Sequence, residues 1–182
     1  MQKSVRRRTF LGFATAAAAS AIAAPAIAFP RFSMERERAL SFHNLHTDES
    51  VDLVYWADGQ YLSDATRRIE YLLRDFRNNK VHPIDPKLFD LLSVMRARLG
   101  TNAPYEVISG YRSRETNAML RHASEGVASN SLHIQGQAID LRVPGRSLEH
   151  VHRTALGLQA GGVGYYPRSD FVHVDVGRVR RW

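Results

Sequence analysis

Two short segments limit what this chain can fold into more than any other feature: S-L-H-I-Q-G-Q-A-I-D at 131–140 and D-F-V-H-V-D at 170–175. If His133, Asp140 and His173 act together, the fold must bring them to one point. Imidazole nitrogen and carboxylate oxygen are donors that a catalytic zinc ion takes, and three of them leave a fourth position for water. Six residues separate His133 from Asp140, and Gly136 among them lets the chain double back. This is not H-E-x-x-H, in which one helix presents two ligands a turn apart. The third donor comes from a downstream strand, where alternate side chains share a face.

The first 28 residues are set apart from the fold. Arg6, Arg7 and Arg8 precede Phe10, Leu11 and an Ala-rich run that ends in A-I-A at 26–28. A basic start, a weakly apolar middle and a small-residue site have the layout of an export signal, and the paired arginines resemble a twin-arginine signal. The apolar run is short for a bilayer span, so no stable membrane insertion is expected after cleavage. Residues 29–182 then form a single domain, long enough for one sizeable core. Losing Lys3, Arg6, Arg7 and Arg8 takes the formal charge from +7 to +3. That balance suits attraction to an anionic polymer of the cell envelope, but without a major-groove helix or zinc-finger spacing nucleic acid is not an expected partner. The chain has no cysteine, which excludes a disulfide framework and a thiol nucleophile.

Alternation and turn residues predict a hairpin from strands at 39–45 and 51–56, with A-D-G at 57–59 as a turn. A helix capped by Ser63 follows, with Ile69, Leu72, Leu73 and Phe76 on its apolar face and Arg74 and Asp75 on its wetter side. Leu88, Leu91, Leu92 and Met95 give a second helix over 86–99 that Gly100 ends. A buried strand at 105–109, a helix at 114–123, strand 138–143, helix 147–158 and strands at 163–165 and 171–176 complete the order. G-G-V-G at 161–164 lacks a dinucleotide fingerprint and reads as a tight bend before the His173 strand. The expected architecture is α+β, a small mostly antiparallel sheet flanked by helices. His43 and His46 lie near Asp48 and Glu49 without ligand spacing and read as surface or packing residues.

S-G-Y-R-S at 109–113, S-L-H-I-Q-G-Q-A-I-D at 131–140 and G-G-V-G-Y-Y-P-R-S-D-F-V-H-V-D at 161–175 together carry a resemblance. The chain resembles the zinc D-Ala-D-Ala metallopeptidase superfamily, and within it the murein endopeptidase K branch. The pattern S-x-H-x-x-G-x-A-x-D is matched at all six specified positions. The resemblance implies zinc held by His133, Asp140 and His173, and Arg112 facing the substrate carbonyl or developing oxyanion. It implies Asp170, three residues before the last ligand, as general base; relatives that use a histidine two residues before it differ from this chain, which has Phe171 there. It also implies an exported, periplasmic or cell-envelope enzyme acting on peptide crosslinks of peptidoglycan.

The chemistry of the residues agrees. Two neutral imidazoles and a carboxylate leave a formal +1 at a zinc ion, which then acidifies water and polarises an amide carbonyl. Arg112 suits either an oxyanion or a substrate carboxylate. Asp175 is the rival to Asp170: on the His173 strand it serves either as base or as a partner that orients the imidazole. A carboxypeptidase that trims stem peptides is an alternative activity, and a non-catalytic zinc-containing cell-wall-binding domain is an alternative class. Ser131 reads as a turn cap or orienting group, and Tyr111, Tyr165 and Tyr166 as cleft or core residues.

Overall fold

The computed structural model describes residues 36–123 and 128–182. The export segment expected at 1–28 lies outside the described residues. None of the helices among them is long and apolar enough to cross a membrane. The elements run β1 (Glu37–Asn44), β2 (Ser50–Ala57), β3 (Gln60–Tyr61), α1 (Ser63–Leu72), α2 (Pro86–Leu99) and β4 (Tyr105–Ser109). They continue with α3 (Arg114–Ala123), a 3-10 turn (Leu132–Gln135), β5 (Ala138–Arg142), α4 (Leu148–Leu158), β6 (Gly162–Tyr166), β7 (Phe171–Asp175) and β8 (Arg180–Arg181). One sheet has the order β3-β2-β1-β4-β5-β7-β6-β8. Its pairs are antiparallel except β1 with β4 and β6 with β8. The mostly antiparallel α+β architecture is the expected one.

Alternation divides each central strand between two environments. Ile139 and Leu141 of β5, and Val172 and Val174 of β7, join Leu88, Leu92 and Met95 of α2 and Val151 and Ala155 of α4 in the core. Each fully buried Leu there contributes about 1.5–3 kcal/mol relative to exposure. The intervening residues Asp140 and His173 face the other way, directly opposite each other in register. α2 starts where its sequence says: Asp85 accepts from the Lys87 amide, Pro86 opens the helix and Gly100 closes it with φ 59°.

Three local expectations change. Ser63 is the first residue of α1; Leu62 holds the cap position without a side-chain bond. α1 stops at Leu72, so Phe76 leaves the helical face and stacks on His46 at 3.8 Å. Arg74 and Asp75 are buried, not on a wet side. Tertiary bonds explain the early stop: the Leu72 carbonyl accepts from Asn44 Nδ2 and the Leu73 carbonyl from the Tyr111 amide.

Candidate metal centre

The turn that carries His133 forms because Ser131 Oγ accepts from the His133 amide and Gly136 closes the turn in the left-handed region, at φ 66°. A side chain at Gly136 would also overlap the Pro83 carbonyl, so only glycine fits there. The Gly136 carbonyl in turn accepts from the Asp85 amide, tying this turn to the start of α2.

Across the sheet, Ser109, Asp140, His173 and Gly164 are successive register partners on β4, β5, β7 and β6. Directly opposed residues share a face, and from this row Asp140 and His173 line a cavity of about 660 Å³. His133 enters from its turn. His133 Nε2 lies 3.2 Å from Asp140 Oδ1 and 3.2 Å from His173 Nδ1, and the last two atoms are 2.8 Å apart.

The protons are placed by what the other ring nitrogens meet. His133 Nδ1 is 2.7 Å from the Gly110 carbonyl, which can only accept, so Nδ1 carries the hydrogen. His173 Nε2 likewise donates to Asp175 Oδ2 at 3.0 Å. Two imidazole lone pairs and a carboxylate oxygen therefore converge in a site where all three residues are buried. Lone pairs so close repel unless a cation lies among them, and a tetrahedral ion with arms of about 2.0–2.1 Å needs ligand separations of about 3.3–3.4 Å. The donor set fits a divalent metal.

Burial opposes the Asp140 charge, but when the facing nitrogens of His133 and His173 carry protons in place of an ion, their charges and hydrogen bonds outweigh it and hold the carboxyl well below the usual range. Burial alone would lower the His173 pKa; its bonds to Asp140 and Asp175 raise it instead.

Asp175 is saturated. Oδ1 accepts from the Gly162 and Gly177 amides and Arg180 Nη1, and Oδ2 from Arg180 Nη2 and His173 Nε2. These bonds overcome its burial and depress its pKa, leaving no lone pair for a substrate proton. Its bond to His173 Nε2 is the contact that the orienting alternative expects.

Arg112 lines the cavity with Nη2 3.6 Å from Asp140 Oδ2. Its Nε is buried and has no partner among the described residues. Desolvation, joined by the positive charge of Arg77, pulls its pKa down against the pull of Asp140. Asp170 sits with φ 53° in the turn between β6 and β7. Its neighbours Ser169 and Phe171 line the cavity, while its own carboxylate is paired with Arg142 Nη1 at 2.6 Å and is 62% exposed. Tyr166 also lines the cavity, whereas Tyr165 stacks on His152 of α4 and Tyr111 on His82. His43 pairs with Asp48.

Gly161 lies in the expected bend before β6, while the other two glycines of G-G-V-G provide space. Gly162 and Gly164 are strand residues of β6, and a Cβ at Gly162 would overlap Arg180 and Asp175. At Gly164 it would lie 2.7 Å from the Trp182 ring.

Asp75 is the residue that sequence reasoning missed. Its Oδ2 accepts from the Ser113 amide at 2.9 Å, and with the Leu73 carbonyl on Tyr111 and the His133 carbonyl on Arg112 it clamps S-G-Y-R-S against the site. Burial would raise the Asp75 pKa, yet bonds from Thr116, Ser113 and Arg77 keep it lowered. A depressed folded-state pKa means that its stabilisation is complete above the unfolded value and is lost as pH falls through the folded one. Asp75→Ala is expected to cost about 1–3 kcal/mol in chemical denaturation at neutral pH, with a smaller deficit in acid. A deficit independent of pH would show that the carboxylate is not the stabilising form.

A mostly antiparallel α+β sheet with two imidazoles and one carboxylate on a cavity floor defines a metal-dependent hydrolase. Comparison with known proteins specifies which kind. A family model described as peptidoglycan L,D-endopeptidase MepK matches residues 33–182. The peptidoglycan L,D-endopeptidase MepK of Escherichia coli K12 is 44% identical over 176 residues, covering 97% of this chain and 96% of that protein. The probable peptidoglycan L,D-endopeptidase MepK of Haemophilus influenzae is 46% identical over 151 residues, covering 82% and 81%. The chain belongs to the MepK family of peptidoglycan endopeptidases.

Proposed function

We propose that this protein is a zinc-dependent murein endopeptidase of the cell envelope that hydrolyses amide bonds in the peptide crosslinks of peptidoglycan. The observation that carries the reading is the convergence of His133 Nε2, His173 Nδ1 and Asp140 Oδ1, with Arg112 Nη2 3.6 Å from Asp140 Oδ2. His133, Asp140 and His173 are the three protein ligands of the ion, and the cavity side stays open to substrate. Bound there, zinc supplies Lewis acidity, acidifying a water and polarising the scissile carbonyl. The L,D-endopeptidase names of the relatives direct the reading to crosslink bonds that join an L to a D centre.

In the reaction, water adds to the amide carbon, the C–N bond breaks, and a carboxylate and an amine leave. Asp170 takes a proton from the water and returns it to the departing nitrogen, a role that requires its side chain to turn from Arg142 toward the cavity that Ser169 and Phe171 border. Arg112 donates to the carbonyl oxygen as negative charge grows on it. Arg112→Ala should lower kcat about 10²–10³-fold with zinc content unchanged. A loss confined to KM would assign Arg112 to a substrate carboxylate instead.

The direct test is digestion of purified peptidoglycan followed by chromatography of the muropeptides. Crosslinked dimers should fall with time, persist after chelation, and fall again when zinc is restored. Tight zinc binding with dimers left intact would make the protein a cell-wall-binding domain, not an enzyme.

A further inference from the structure

Arg112 alone serves the carbonyl oxygen in the reading above, yet another wall of the same cavity is built with equal care. Gly162, Gly164 and Tyr166 alternate along β6 on the face that carries His173. Tyr166 lines the cavity, and its ring is stacked on its register partner Phe171 at 4.5 Å and 20°. Its hydroxyl accepts a hydrogen bond from Trp182 Nε1 at 2.6 Å. Indole nitrogen is a donor only, so this bond occupies a lone pair of the phenol and leaves its proton uncommitted. Among the described residues no acceptor for that proton is recorded.

Trp182 is itself fixed. Its amide donates to the Val163 carbonyl and its carbonyl accepts from the Tyr165 amide, so β6 holds its backbone on both sides. Its ring lies 5.1 Å from the His173 ring, in space that exists because residue 164 has no side chain. Arg180, the other cation on this cavity wall, bonds both oxygens of Asp175. Tyr166 and Arg112 line the same cavity. Arg112 and Tyr166 are thus two donor-bearing side chains on one cavity.

We propose that the Tyr166 hydroxyl is a second donor to the scissile carbonyl oxygen as that oxygen becomes charged, and that Trp182 is the positioning residue that holds it. The inference rests on the hydrolase reading and deepens it. A phenol that accepts from the indole and keeps its proton free is set to donate, which favours an oxyanion over a neutral amide N–H. Such a donor matters most in the transition state, so its loss should appear in kcat and not in KM.

Tyr166→Phe keeps the ring and its stacking and removes one oxygen. Expected are unchanged zinc content and melting temperature, a fall in kcat of about 10–100-fold on a defined crosslinked dimer, and KM within about twofold. A phosphinate dipeptide isostere, whose tetrahedral oxygens mimic the charged centre, should bind Tyr166→Phe more weakly by a similar factor. Trp182→Phe retains an aromatic ring over Gly164 but lacks the N–H, and should lose part of the same rate. The double variant should be no slower than Tyr166→Phe alone, because the indole acts through the hydroxyl. Wild-type kcat in Tyr166→Phe, a change confined to KM, or losses that multiply in the double variant would each overturn the proposal. If the wild-type protein leaves dimers intact, the hydrolase reading fails, and equal phosphinate affinity of wild type and Tyr166→Phe would separately overturn the role given to Tyr166.

Discussion

His133→Ala is expected to strip the protein of zinc and lower turnover about 10³–10⁴-fold. The Lewis acid is worth several kcal/mol of transition-state charge stabilisation, and each 1.36 kcal/mol is about tenfold in rate. The substitution removes one of three converging donors while leaving Asp140 with His173 and Arg112, so the cavity floor keeps its framework. Metal analysis and muropeptide turnover read the two effects separately. Thermal unfolding adds a third: zinc at about 100 times its dissociation constant should stabilise the wild type by about 2.7 kcal/mol. The same addition should leave His133→Ala unmoved. A variant with full zinc and full turnover would remove His133 from the ligand set.

Asp170→Asn carries the second largest expected effect, a fall of about 10²–10⁴-fold in kcat with zinc retained. Asparagine keeps the shape and the capacity for the left-handed backbone that Asp170 adopts, but it cannot take a proton. Arg142 is also bonded to Glu106 at 2.5 Å, so its guanidinium stays anchored when Asp170 turns toward substrate. Asp175 offers no substitute, since five bonds already fill its oxygens. Nearly full activity in a zinc-loaded Asp170→Asn protein would reject Asp170 as the base.

What the sequence made legible follows from how local each signal is. Helix Pro86–Leu99 and strand Tyr105–Ser109 have the bounds their periodicity predicts, because Asp85, Pro86 and Gly100 act within a turn of the residues they cap. The convergence of His133, Asp140 and His173 was legible because donor types and the Gly136 turn are written into two short segments. Strands β3 and β8 were not, since two residues cannot show alternation. Asp75 and Arg74 looked like helix surface, and only their bonds to Ser113 and Glu49, distant in the chain, bury them. The glycines at 162 and 164 announce a special backbone, yet what they admit is Arg180 and Trp182 from further along the chain.

Zinc-edge anomalous diffraction from crystals of the zinc-loaded protein tests the central claim most directly. One peak is expected, bonded to His133 Nε2, His173 Nδ1 and Asp140 Oδ1 at about 2.0–2.2 Å, with a solvent oxygen completing the coordination on the cavity side. No peak at these atoms, or a fourth protein ligand closing the ion off from the cavity, would contradict it.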